Sequence, residues 1–135
     1  MAVFRYNSEK QSVSWEELTE KVPQFLVEIQ KGMYQRARER FDSKLKKSDT
    51  WEGFMNELNQ RNVVLTPWCK NSQCEDKVKE RSGIESKAMA NEGEVSLTGQ
   101  AKTLCIPLDY EPLNGEKCFH CGEEAKVRVI WGRSY

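Results

Sequence analysis

The fold turns on twelve residues, Val63-Val64-Leu65-Thr66-Pro67-Trp68-Cys69-Lys70-Asn71-Ser72-Gln73-Cys74. Val63, Val64 and Leu65 are β-branched or apolar, as a buried strand requires, and Pro67 marks where that strand stops. Cys69 then stands at the strand's end, and Cys74 follows at a C-x4-C spacing. A second pair, Cys118 and Cys121, has C-x2-C spacing and precedes another strand. Two close pairs far apart in sequence are what a tetrahedral zinc requires, each pair spanning one edge of the tetrahedron. The competing reading is four ordinary buried cysteines. If metal binds, all four ligands come from protein and no position remains for water, so the site is structural. Four thiolates around a divalent cation leave a charge of minus two, which Lys70 and Lys117 are placed to offset. His120 lies between Cys118 and Cys121. It either replaces one of them or sits beside them, and adjacent positions rarely point to one centre. Cys105, alone inside an apolar strand, reads as a small buried hydrophobe outside the metal set.

Outward from that centre, Ala2 to Tyr6 reads as a lone strand with a turn at Asn7-Ser8. Ser14 and Glu17 form a capping box that opens a long helix. Its stripe is Leu18, Val22, Phe25, Ile29, Met33, Ala37, Phe41 and Leu45, with Pro23 kinking or restarting it. Between Lys31 and Lys47 that helix carries Lys31, Arg36, Arg38, Arg40, Lys44, Lys46 and Lys47 against Glu39 and Asp42. This is either a solvated helix face or a surface for RNA phosphates. Ser48 to Thr50 cap a second helix through Trp51, Phe54, Met55 and Leu58, forming a helical hairpin with the first. Glu75 to Arg81 reads as a short helix closed by Gly83. A long polar loop follows from Ile84 to Gln100, then strands at Thr103 to Leu108 and Ala125 to Trp131.

With 135 residues the length is that of about one domain, and equal numbers of basic and acidic residues leave no net field to draw it onto nucleic acid. No apolar stretch approaches the ~20 residues of a spanning helix, and residues 1–15 lack a signal-peptide core, so no membrane is expected. Five cysteines, an odd number, suit a reducing compartment, which reads as cytoplasmic. Phosphate cradles are excluded by the glycine spacing, and the single histidine, His120, leaves little for nucleophilic machinery. Taken alone, the chain is a poor candidate for an enzyme.

Five blocks in order resemble a known family. They are Pro67-Trp68-Cys69; Cys74-Glu75-Asp76; Gly99-Gln100-Ala101-Lys102-Thr103-Leu104-Cys105-Ile106-Pro107-Leu108; Lys117-Cys118 with Cys121-Gly122; and Trp131-Gly132-Arg133-Ser134-Tyr135. Together they are similar to the C-terminal zinc-binding domain of archaeal and eukaryotic prolyl-tRNA synthetases. Residues 1–13 resemble the closing strand of a preceding anticodon-binding domain, leaving residues 14–135 as the C-terminal domain. The resemblance implies an α+β fold, a two-layer mixed sheet with helices on one face, like the C-terminal domain of translation initiation factor three. It also implies a structural zinc on Cys69, Cys74, Cys118 and Cys121. The parent enzyme would attach proline to its tRNA with ATP and magnesium, as a homodimer, using motifs absent here. This part would brace the catalytic and anticodon-binding domains and direct Tyr135, with Arg133, toward the active site. A free-standing zinc module that binds RNA remains the alternative, and a metal-free interaction domain a third.

Overall fold

A computed structural model describes residues 1–88, 99–110 and 112–133. The chain forms two compact units, residues 1–43 and 44–135.

In the first unit, β1 (Ala2–Val3) pairs antiparallel with β2 (Lys10–Gln11), so the N-terminal strand is half of a hairpin rather than a lone strand. β2 gives no apolar signal because both its residues are polar. Ser8 takes φ of 63°, and the Asn7 side chain accepts from the Glu9 amide at 3.0 Å, which closes the turn. Helix α1 (Leu18–Lys44) follows the Ser14–Glu17 box, in which the Ser14 hydroxyl accepts from the Glu17 amide. Pro23 lies inside α1 and does not split it. The hairpin packs on one side of α1: Phe4 meets Phe25 edge-on at 5.3 Å. At Gly32 a Cβ would fall 2.4 Å from the Tyr6 hydroxyl, so the tyrosine needs a glycine there.

The second unit begins with a strand where the helical spacing predicts a continuation of α1. Leu45–Lys47 is β3, parallel to β4 (Val63–Trp68), with α2 (Trp51–Asn59) crossing between them. The expected helical hairpin is therefore interrupted by β3. Thr50 caps α2, its hydroxyl accepting from the Gly53 amide at 3.2 Å. β4 runs through Pro67 to Trp68. This is tolerated because β3 ends opposite Leu65, and beyond it the Pro67 carbonyl receives the Phe119 amide. Helix α3 (Ser72–Ala88) is longer than expected and Gly83 lies within it. That glycine is packed close to Gln100, 2.9 Å from where a Cβ would stand. The expected loop from Ile84 thus begins as helix, and its residues 89–98 lie outside the described ones. β5 (Ala101–Cys105) and β6 (Val127–Arg133) complete a mixed sheet of order β3-β4-β6-β5.

Register explains the layering. Val64, Trp131 and Thr103 are mutual partners across the sheet, as are Thr66 and Val129, so their side chains share one face. Phe54, Met55 and Leu58 of α2 and Cys74 and Val78 of α3 are buried in the same cluster as Val64, Val129 and Trp131. Both helices of this unit therefore cover that face. Trp131 is fully buried and its indole Nε1–H donates to the Thr66 hydroxyl at 3.0 Å. The fold is α+β, with a mixed sheet.

Candidate metal centre

Cys69 leaves β4 directly after Trp68, and Lys70, in left-handed backbone at φ of 61°, turns the chain toward α3. Asn71 opens that helix, its side chain accepting from the Gln73 amide at 2.9 Å, which sets Cys74 in the first turn. The other pair sits on a knuckle. The Cys118 amide donates to the Glu123 carbonyl at 2.7 Å, the Gly122 amide to the Cys118 carbonyl at 3.0 Å, and Lys117 bridges Glu124. Gly122 has φ of 74°, where a side chain is strained. Two bonds fasten the knuckle to β4: Phe119 amide to Pro67 carbonyl at 3.2 Å and Lys126 amide to Trp68 carbonyl at 2.8 Å.

These anchors bring four sulfurs together. Cys74 and Cys118 are 3.9 Å apart at Sγ, Cys69 and Cys121 3.7 Å, and all four lie within 4.8 Å of one another. Zinc bonded to sulfur at about 2.3 Å gives tetrahedral edges of about 3.8 Å. The donor set thus has the size and chemistry of a metal cage. Burial pushes the Cys69 and Cys74 thiols up. At Cys118 burial acts the same way, but backbone N–H groups of Cys121, His120 and Cys69 outweigh it and leave the thiol below its ordinary range. A divalent cation is what would offset the cost of ionising the other buried thiols.

His120 is not one of the four. Its Nδ1 lies 3.4 Å from the Cys74 sulfur, and its ring meets Trp51 edge-on at 5.3 Å. Burial, with Arg81 and Lys77 nearby, holds its pKa below the ordinary imidazole range. Around it stands a group the sequence reading did not assemble. Trp51 stacks on Phe119 at 6.0 Å, the Arg81 guanidinium covers the Trp51 ring at 4.1 Å, and Glu85 accepts from both Trp51 Nε1 and Arg81 Nε. Only the Arg81 to Glu85 spacing of one helical turn was visible in sequence. Lys70 and Lys117 are exposed.

The remaining sequence candidates lie elsewhere. Cys105 is exposed, not buried, because β5 carries a bulge between Thr103 and Cys105 that turns it off the core face. Among the basic residues, Lys46 and Lys47 are in β3, not α1. At 100° per residue Arg36, Arg40 and Lys44 line one side of α1 while Lys31 and Arg38 line nearly the opposite one, so there is no single basic helix face. Arg36 donates to the Tyr6 carbonyl at 2.7 Å and Arg38 to Asp42 at 2.9 Å. Arg133, at the end of β6, reaches Asn59 and Ser86. Tyr135 lies outside the described residues.

Fold and site together define a class: a mixed-sheet α+β domain whose strand ends converge on four cysteines able to hold a metal ion. The family model described as prolyl-tRNA synthetase, C-terminal, matches residues 51–135, and the chain belongs to that family. Relatives agree across its whole length. A putative proline–tRNA ligase of Saccharomyces cerevisiae is 37% identical over 137 residues, covering 100% of this chain and 20% of that protein. The cytoplasmic proline–tRNA ligase of Arabidopsis thaliana is 37% identical over 98% of this chain and 23% of its own length. The proline–tRNA ligase of Ruminiclostridium cellulolyticum is 35% identical over 98% and 24%. The chain thus spans about a fifth to a quarter of the length of these three relatives. No helix among the described residues is long and apolar enough to cross a membrane.

Proposed function

We propose that this chain is the C-terminal part of a cytoplasmic proline–tRNA ligase and acts there as a zinc-stapled structural domain. The observation that carries the reading is the match to proline–tRNA ligases along the whole chain, with a family model of their C-terminal region over residues 51–135. Zinc is held by Cys69, Cys74, Cys118 and Cys121, whose spacing suits its tetrahedron, and it supplies a cross-link that fixes the knuckle to the end of β4. The fold is of the translation initiation factor three C-terminal kind. Residues 1–13 close an anticodon-binding domain, and the remainder braces that domain against the catalytic one.

In the homodimeric parent, proline, ATP with magnesium, and the proline tRNA are handled by the preceding domains. Tyr135 is directed toward their active site, with Arg133 securing the strand that ends there. A free-standing RNA-binding zinc module is not favoured, since the seven basic residues offer no common helix face. The test is proline-dependent tRNA aminoacylation by the longer protein with and without residues 44–135. Reduced charging on removal, with none by the 135-residue chain alone, supports the reading; charging by this chain alone overturns it.

A further inference from the structure

The face of the sheet turned away from α2 and α3 has an uncovered edge. By register it carries Val63, Leu65 and Ile130 alternately with the core residues. Leu65 and Ile130, in the middle, are buried. At the β5 edge the situation reverses. The bulge places Cys105 opposite Ile130, and Leu104 lies over Gly132, 2.9 Å from where its Cβ would be, so both residues project from this face. Leu104 is 53% exposed and Cys105 is exposed beside it, while past the end of β5 Ile106 is 44% exposed and Leu108 98%. Among the described residues β5 is also an edge strand, with the Ala101 amide at its start donating to the Ser82 hydroxyl at 3.0 Å. An apolar edge strand left open invites unwanted pairing, and proteins ordinarily cover it.

We propose that this edge is the seat of the preceding domains of the longer ligase, an inference that rests on reading the chain as a ligase C-terminus. Three observations favour that occupant. The patch is apolar, and no described residue of this sheet face is aromatic, so it lacks the stacking platform by which sheets hold RNA. The exposed Lys102 borders it opposite Gly132, a rim suited to an acidic protein surface. And in the relatives some three-quarters or more of the chain lies outside the matched part, providing a body of protein large enough to cover it.

Cys105 reports on the seat without altering it. In the zinc-loaded full-length ligase, iodoacetamide labelling of Cys105, read by peptide mass spectrometry, should be at least ~10-fold slower than in the same protein unfolded in urea. Leu104→Asp should restore most of the unfolded rate. Leu108→Asp is the second variant, since a side chain 98% exposed here has no part in this unit's own packing, and it too should speed labelling. Labelling of the wild-type at the unfolded rate, in protein that charges tRNA normally, overturns the proposal while leaving the ligase reading intact. Protection that vanishes on dilution would give the seat to a second copy, and protection appearing only with added tRNA would give it to RNA; either overturns it. A full-length protein with no proline-dependent charging would instead sink the underlying reading, whatever Cys105 does.

Discussion

Thr66 and Trp131 show how single side chains hold the second unit. The Thr66 hydroxyl is the hydrogen-bond acceptor for a fully buried indole N–H. Thr66→Val keeps the volume and orphans that donor, so we expect a loss of about 1–3 kcal/mol in urea unfolding, with Thr66→Ser losing less. Glu85 gives a pH signature. Burial pushes its carboxyl up, but the bonds from Trp51 and Arg81 outweigh this and hold it below the ordinary range. Its stabilisation is therefore present above the ordinary glutamate pKa and lost as pH falls through the lowered one. Glu85→Gln should cost about 0.5–1 kcal/mol near pH 7, reduced by exposure, and should flatten the acid limb of stability against pH. At the metal centre, Cys74→Ser should abolish the one zinc per chain that elemental analysis is expected to find, whereas Cys105→Ser should retain it.

Among the elements, α2 was legible because its signals were local: a cap at Thr50 and an apolar stripe of Trp51, Phe54, Met55 and Leu58. Thr50→Ala should remove about 1 kcal/mol from the unit's stability in chemical denaturation, and Thr50→Ser should restore most of it. β4 was legible for the same reason, in Val63 to Leu65. β3 was not. Leu45 continues the spacing of the helical stripe from Phe41, Lys46 and Lys47 resemble a helix surface, and what makes them a strand is parallel pairing with residues beyond α2. Gly83 misled in a related way. A glycine after a polar helical run reads as a terminus, but here it admits Gln100 at a close approach from a distant segment. The cysteine spacing announced the four-sulfur cluster, since each pair is local. The Trp51, Arg81 and His120 surround came from three separate elements and left no trace in any one window.

For the whole molecule, the distinction that matters is between a domain that holds the ligase together and a terminus that touches its chemistry. On the proposed reading, zinc belongs to the first. Forty-three residues separate Cys74 from Cys118, and closing such a span without a cross-link costs chain entropy that metal binding offsets. Replacing Cys69 and Cys121 by serine in the longer ligase should therefore shorten its half-life at elevated temperature by ~10-fold or more while leaving much of its charging rate at low temperature. On the proposed reading, Tyr135 belongs to the second. We expect deletion of Tyr135 to lower proline-dependent pyrophosphate exchange well before it lowers thermal stability. The two perturbations should give opposite signatures in one pair of measurements, exchange rate and thermal half-life. If both lower the two quantities in parallel, the terminus is part of the brace and has no separate role near the reacting groups.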